Sequence, residues 1–252
     1  DCHGLPIENI AEKGLGISGR KNIEEYGVAK FCEYAKSKVL DFVDAWRADV
    51  HRTGLWMNFD DTYKTMDNSY IESVWWALSE LHKKKLIYED KRVLLYCPRC
   101  ETPIANSEIA MDNSYKDITD ISVYAKFKLA NSVNKYLLTW TTTPWTLPGN
   151  VALAVKRDAV YVEIEIENSI YILAKDRIGA VIKMPYKVVG EIKGEDLVGK
   201  KYEPLFDYYN QDEKIIGNQK AWTVVSADFV TMDAGVGIVH ISPAFGEDDF
   251  EL

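Results

Sequence analysis

Several features that would fix the class of a chain at a glance are missing here. Four cysteines in 252 residues are too few for a disulfide scaffold, and their spacing suggests none. A reducing, cytoplasmic compartment is therefore expected. No apolar run approaches the ~20 residues of a membrane span. The opening Asp1-Cys2-His3-Gly4 has neither the basic nor the apolar region of a signal peptide. It also lacks Met and begins on a motif, so the chain is expected to be a piece of a longer protein. A basic excess is absent too. The net charge of −9 argues against strong autonomous binding to nucleic acid, which needs a basic surface. It leaves open the presentation of a nucleic-acid end by another domain. There is no Gly-x-Ser-x-Gly elbow, no P-loop and no Gly-x-Gly-x-x-Gly. Neither internal repeats nor low-complexity segments occur.

What is present reads as a globular protein, 47% hydrophobic and 27% charged, long enough for one large domain or two smaller ones. From Val28 to Val50, the apolar residues Phe31, Ala35, Val39, Phe42, Val43 and Trp46 recur at helical spacing. A second helix is expected from about Asn68 to Lys85. Asp67, Asn68 and Ser69 offer N-caps, and Lys83, Lys84 and Lys85 suit the negative end of its dipole. Ile71, Val74, Trp75, Leu78 and Leu81 form its stripe, and core packing is the plain reading of both stripes. The period changes after Ser114. Ile121, Val123, Ala125, Phe127 and Leu129 alternate with polar residues, as do Val160, Val162, Ile164 and Ile166. Period two means half-buried strands. Leu137 to Thr141, Tyr171 to Ala174, Trp222 to Val225 and Val236 to Ile241 add more. Short strands punctuated by Gly and Asn predict a closed or nearly closed β-barrel, with a boundary near residues 112–117.

Two segments carry chemistry. Thr139-Trp-Thr-Thr-Thr-Pro-Trp-Thr-Leu-Pro-Gly-Asn150 crowds hydroxyls between aromatic walls where an ordinary loop would use Gly, Asn, Asp and Ser. Such a surface can bind a small polar group and orient a water. About ninety residues on, Gly235-Val-Gly-Ile-Val-His240 ends an apolar strand, and Pro243 places His240 near a barrel rim. Glu247, Asp248 and Asp249 follow. They read either as the acidic start of a helix or as carboxylates for an ammonium group or a metal. The helical His-Glu-x-x-His spacing of zinc hydrolases is absent. Cys97-Pro-Arg-Cys100 is a knuckle that supplies two of the four ligands zinc wants. A turn that holds no metal is the alternative. Cys2 and Cys32 lack paired spacing.

Four blocks taken together resemble the isoleucyl-tRNA synthetase family of class I enzymes. They are Asp1 to Glu8; Tyr63 to Asp67 with Tyr70 to Trp76; Tyr96 to Pro103; and the Thr-rich segment with Gly235 to Asp249. The resemblance spans essentially the whole chain. Thr143-Pro144-Trp145 follows the isoleucyl pattern, where the valyl and leucyl enzymes carry Arg-Pro and an acidic residue.

The resemblance implies an α+β fold. Residues 1–92 would be part of a Rossmann-type catalytic core with a helical connective peptide. Residues 93–116 would be the knuckle and linker, and residues 117–252 a β-barrel-like editing domain, incomplete at its C-terminus. It implies isoleucine–tRNA ligation in the full-length enzyme, using ATP and Mg2+. Their signatures, His-Ile-Gly-His and Lys-Met-Ser-Lys-Ser, are absent, so this segment would not activate an amino acid alone. It also implies a post-transfer editing site that hydrolyses valyl-tRNA(Ile), with no cofactor of its own. Asp249 would bind the α-ammonium. Thr141, Thr142 and Thr143 would position the ester and the attacking water, and His240 would exclude isoleucine. Trp140, Trp145 and Asn150 would shape or support the site, and Asp1 resembles a residue near the ammonium in the synthetic site. Structural zinc at Cys97 and Cys100 would take its other ligands from outside the chain. The expected partners are the tRNA(Ile) 3′ end, isoleucine and valine, with no membrane, in a monomer. Two rival readings are a metal-dependent hydrolase using His240 with Glu247, Asp248 or Asp249, and a non-catalytic β-barrel binding module.

Overall fold

The computed structural model describes residues 2–209, 212–213 and 221–252. Asp1 lies outside them. The chain divides into two units, Asp1–Lys91 with Leu95–Ala110, and Arg92–Leu94 with Met111–Leu252.

The first unit is helical: α1 (Leu5–Leu15), α2 (Arg20–Tyr26), α3 (Val28–Val39), α4 (Val43–Arg52) and α5 (Asn68–Lys83). A short hairpin of β1 (Tyr96–Cys97) and β2 (Thr102–Pro103) and the single turn α6 (Asn106–Ile109) complete it. Pro6 in the first turn and left-handed Gly16 at the end delimit α1, and the Gly16 N–H donates to the Glu12 carbonyl.

The helix expected across Val28 to Val50 is instead two. Asp41 N–H donates to Lys38 O and Val43 N–H to Leu40 O. These tighter bonds replace the regular ladder and start a new helix with Asp44 in its first turn. Asp67 is the N-cap residue of α5 but makes no side-chain cap bond. The expectation that both stripes are core is corrected. Among the described residues of this unit, only Ala11 and Phe31 are buried hydrophobics. Trp46 is 71% exposed and Trp75 70%, and Val74, Leu78 and Leu81 are exposed too. Helical periodicity records an apolar face, not what covers it.

The second unit holds the β structure. A five-stranded sheet runs in the order β3 (Val123–Lys128), β4 (Lys135–Thr141), β7 (Ser169–Ala174), β6 (Val160–Ile166), β8 (Lys187–Lys193). A three-stranded sheet runs β10 (Ile238–Ile241), β5 (Ala152–Val155), β9 (Thr223–Ser226). The β4–β7 and β5–β9 pairs are parallel and the rest antiparallel. Short helices α7 (Ile178–Val181) and α8 (Gly194–Leu197) fill connections, and α9 (Glu247–Glu251) follows β10.

Phe127, Leu137, Leu153, Ile164, Leu173 and Ile238 anchor one apolar cluster between the sheets. Ala152, Ala154, Val230 and Ile241 form a smaller one. Alternation fails at one place on β6, where Tyr161 is fully buried and Val160 exposed. The Tyr161 hydroxyl accepts from Lys156 N–H at 2.9 Å and donates to Gly237 O at 2.7 Å, which satisfies its polar end in the core.

The expected barrel does not close among the described residues. Isolated bridges, Leu129 to Tyr202 and Lys201 to Thr223, join the sheets on one side. The Ala174 N–H donates to Val236 O on another. β8 is left as an edge with Lys187 and Lys193 on it and a register shift against β6 at Glu163/Ile164, devices that discourage further pairing. No helix among the described residues is long and apolar enough to cross a membrane.

Candidate functional site

The Thr-rich segment and the His240 strand meet because β10 pairs with β5 and also packs against β4. Thr141 ends β4, and its Oγ1 accepts the Thr143 N–H at 3.0 Å. That turn hands the chain to a 3-10 helix, Pro144–Gly149, with Pro144 in its first turn. Thr146, three residues after Thr143 and so one 3-10 turn on, has its hydroxyl 2.8 Å from Thr143 O and 3.0 Å from His240 Nε2.

The glycines of Gly235-Val-Gly237 are there for space and backbone. Gly235 (φ +59°) sits where a Cβ would be 3.3 Å from the Trp140 ring, and at Gly237 (φ +75°) a Cβ would fall 2.4 Å from that of Ala174.

The result is a cleft of about 240 Å³. Trp140, Thr141, Thr142, Thr143, His240 and Asp249 all line it. Thr142 and Thr143 are exposed at its surface, while Thr141 and His240 are buried. Asp249 Oδ2 accepts the Ser242 N–H at 2.7 Å, which orients the carboxylate and leaves Oδ1 for another donor. Burial pushes the His240 pKa below the ordinary imidazole value, against the opposing pull of Asp249, so the ring is neutral near pH 7.

Two expected site residues do not line the cleft. Trp145 is 59% exposed. Asn150 is buried and structural: its Nδ2 donates to Ala152 O, and its Oδ1 accepts from the Tyr202 hydroxyl at 2.6 Å.

Sequence reasoning passes over two residues that do belong here. Thr146 lies in the quoted segment, and its spacing from Thr143 is the available signal. Ser242 is buried beneath the cleft; its Oγ donates to Thr146 O at 3.3 Å. A serine before a proline gives no such sign.

His240, Glu247, Asp248 and Asp249 do not form a group fit to hold a metal, and no such group of three or more His, Cys, Asp or Glu occurs among the described residues. At the hairpin of β1 and β2, Cys97 Sγ accepts the Cys100 N–H at 3.5 Å. That N–H, with the one from Arg99, holds the Cys97 thiol below its ordinary value; the bond to Cys97 and burial raise Cys100. The turn brings the two sulfurs together and favours thiolate at Cys97 alone.

Comparison with known proteins follows this geometry. The model of the class I tRNA synthetases (I, L, M and V) matches residues 1–242. The chain is 49% identical over 249 residues to an isoleucine–tRNA ligase of Clostridium novyi, covering 99% of the chain and 23% of that protein. To an isoleucine–tRNA ligase of Bacillus thuringiensis (strain Al Hakam) it is 46% identical over 252 residues, covering 100% and 24%. The chain thus spans about a quarter of the length of these curated relatives. Solved structures similar to it include GlLeuRS-CP1, at 21% identity and TM-score 0.43, covering 52% of this chain and 58% of that one. Another is the editing domain of the P. knowlesi cytosolic leucyl-tRNA synthetase, at 14% identity and TM-score 0.39, covering 51% and 60%.

Proposed function

We propose, given that the chain belongs to the class I tRNA synthetases (I, L, M and V), that the cleft is the editing site of an isoleucine–tRNA ligase and hydrolyses valine misattached to tRNA(Ile). Isoleucine and valine differ by one methylene, worth only ~1–3 kcal/mol in an apolar pocket. This pair is the standing example of that limit, and its size is taken as given. A second, smaller pocket that hydrolyses whatever fits it supplies the missing discrimination.

The observation that carries this reading is the meeting of residues 140–143 with His240 and Asp249 in one cleft of about 240 Å³. Asp249, with one oxygen held by the Ser242 N–H, presents the other to the α-ammonium, the one cation every substrate carries. Thr142 and Thr143, at the cleft surface, hold the ester and the water. The Thr141 hydroxyl, 3.2 Å from that of Thr143 and bonded to its N–H, fixes the turn they stand on. Catalysis rests on positioning, on the dipoles facing the developing oxyanion and on a water, with no covalent intermediate. A neutral His240 closes the side-chain end: it blocks a longer side chain without placing a second cation beside the ammonium.

ATP, Mg2+ and the synthetic reaction belong to the full-length protein in this proposal, as do the contacts that read the tRNA. Cys97 and Cys100 would hold half of a structural zinc.

The test is deacylation of valyl-tRNA(Ile) and isoleucyl-tRNA(Ile) by a full-length synthetase carrying this segment. Asp249→Ala should lower valyl hydrolysis by about 100-fold or more, the scale of a lost positioning contact. His240→Ala should let the isoleucyl ester be hydrolysed. Charging with isoleucine in the same preparation is the folding control. An Asp249→Ala enzyme that clears valine at the parental rate would overturn the reading.

A further inference from the structure

We infer that Thr146 is the positioning residue for His240: it holds the imidazole as the Nε2–H tautomer, in one ring plane, and joins it to the threonine turn. The inference rests on the editing reading above and names the group that sets its selectivity.

The argument is a proton count. The Thr146 hydroxyl has one proton and two neighbours, Thr143 O at 2.8 Å and His240 Nε2 at 3.0 Å. A carbonyl only accepts, so the proton that serves it is spent there. His240 Nε2 must then be the donor to Thr146 Oγ1, and its proton fixes the tautomer. Nδ1 is left with a lone pair. That atom is buried and without a hydrogen-bond partner among the described residues. The opposite tautomer would bury an orphan N–H at Nδ1 and turn the hydroxyl proton to Nε2, leaving the Thr143 carbonyl the Thr146 N–H alone. An orphan donor is the worse of the two defects, since buried N–H groups are almost always paired.

Thr146 does more than hold the ring. Its own N–H donates to Thr143 O at 3.0 Å, and its carbonyl accepts from Ser242 Oγ. The Ser242 N–H in turn orients Asp249. A continuous hydrogen-bonded chain therefore runs from the ammonium carboxylate through Ser242 and Thr146. At Thr146 it divides, one arm reaching His240 and the other the turn of Thr143 and Thr141. The size filter and the water-holding hydroxyls share one hub. Positions such as this, which fix the tautomer of a working histidine through its other contacts, decide what its ring presents to a ligand.

The experiment uses Thr146→Val, which keeps the shape and deletes the hydroxyl, and Thr146→Ser, which keeps the hydroxyl. In the full-length synthetase, the ratio of valyl to isoleucyl ester hydrolysis should fall by roughly tenfold or more for Val, the scale of one methylene of discrimination. Ser should restore it. In this chain labelled with 15N-histidine, the His240 resonances should report the Nε2–H tautomer in the parent and in Ser, and a mixture in Val. A Val variant that keeps both the parental ratio and the single tautomer overturns the inference. So does a folded Ser variant that loses either. Should the parent fail to deacylate valyl-tRNA(Ile), the editing reading falls by itself, and the 15N spectra still decide the tautomer.

Discussion

The helical unit and the β unit are built from similar shares of apolar residues and use them in opposite ways. Between its sheets the β unit encloses Phe127, Leu137, Leu153, Tyr161, Ile164 and Leu173, each at 1% exposure or less. The helical unit encloses Ala11 and Phe31, and leaves Trp46, Trp56, Trp75 and Trp76 between 68% and 96% exposed. A strand shows its buried face to a partner sheet that the same chain supplies. A helix carries its face wherever it goes, and α5 presents Val74, Trp75 and Leu78 to no other described residue that buries them. An amphipathic period is therefore a statement about one element, and burial is a statement about two.

The largest expected effect separates the units by a core truncation. Leu137→Ala should cost about 2–5 kcal/mol in urea unfolding, the range for an enclosed leucine, while Trp75→Ala should stay within about 0.5 kcal/mol. Equal costs would mean that α5 is covered in solution and would break the comparison. Glycines give a second contrast. Gly237→Ala forces a Cβ to 2.4 Å from Ala174 at φ +75°, whereas Gly16 has the same hand of backbone, φ +68°, and nothing within 4 Å. The first should lose about 1–3 kcal/mol to overpacking beyond the backbone strain of about 1–2 kcal/mol that both share.

The smallest expected effect is in pH. Burial raises the Tyr161 pKa to about 12, from an ordinary 10. Between those values the unfolded chain has released a proton that the folded one keeps, so stability falls as pH rises through the window. From about pH 9 to about pH 11 the loss should be about 1 kcal/mol from this group, and Tyr161→Phe should flatten the slope. Alkaline unfolding followed by circular dichroism of both proteins checks it.

Strands were the legible part of this fold, and the reasons are local. Val160 to Ile166 alternates because one face of β6 meets the core, and a β-strand needs no more than that to announce itself. Two strands escaped reading. All four residues of β5 are buried, so Ala152 to Val155 shows no alternation; the exposed edge β8 shows too little burial for one. Tyr161 defeated the pattern because its hydroxyl reaches backbone groups 5 and 76 residues away. At the cleft, Thr141, His240 and Asp249 stood out by composition, while Thr146 and Ser242 did not. Their importance is relational: each is defined by what it bonds across 94 or more residues, which no residue type reveals. The same holds for Asn150, conspicuous in the sequence and structural in the fold.

That separation also sets a clock. Thr146 and His240 are 94 residues apart, and a ribosome adding ~5–20 residues per second delivers the second some ~5–20 s after the first. By Lys193 every strand of the five-stranded sheet has been synthesised, with the threonine turn at the end of β4 already in place. The strand that brings the imidazole is the last of the ten among the described residues, and the helix that brings the carboxylate is later still. Chain order thus makes the sheet first and the cleft last, so a nascent polypeptide displays its hydroxyls well before it owns the imidazole and the carboxylate that complete the cleft.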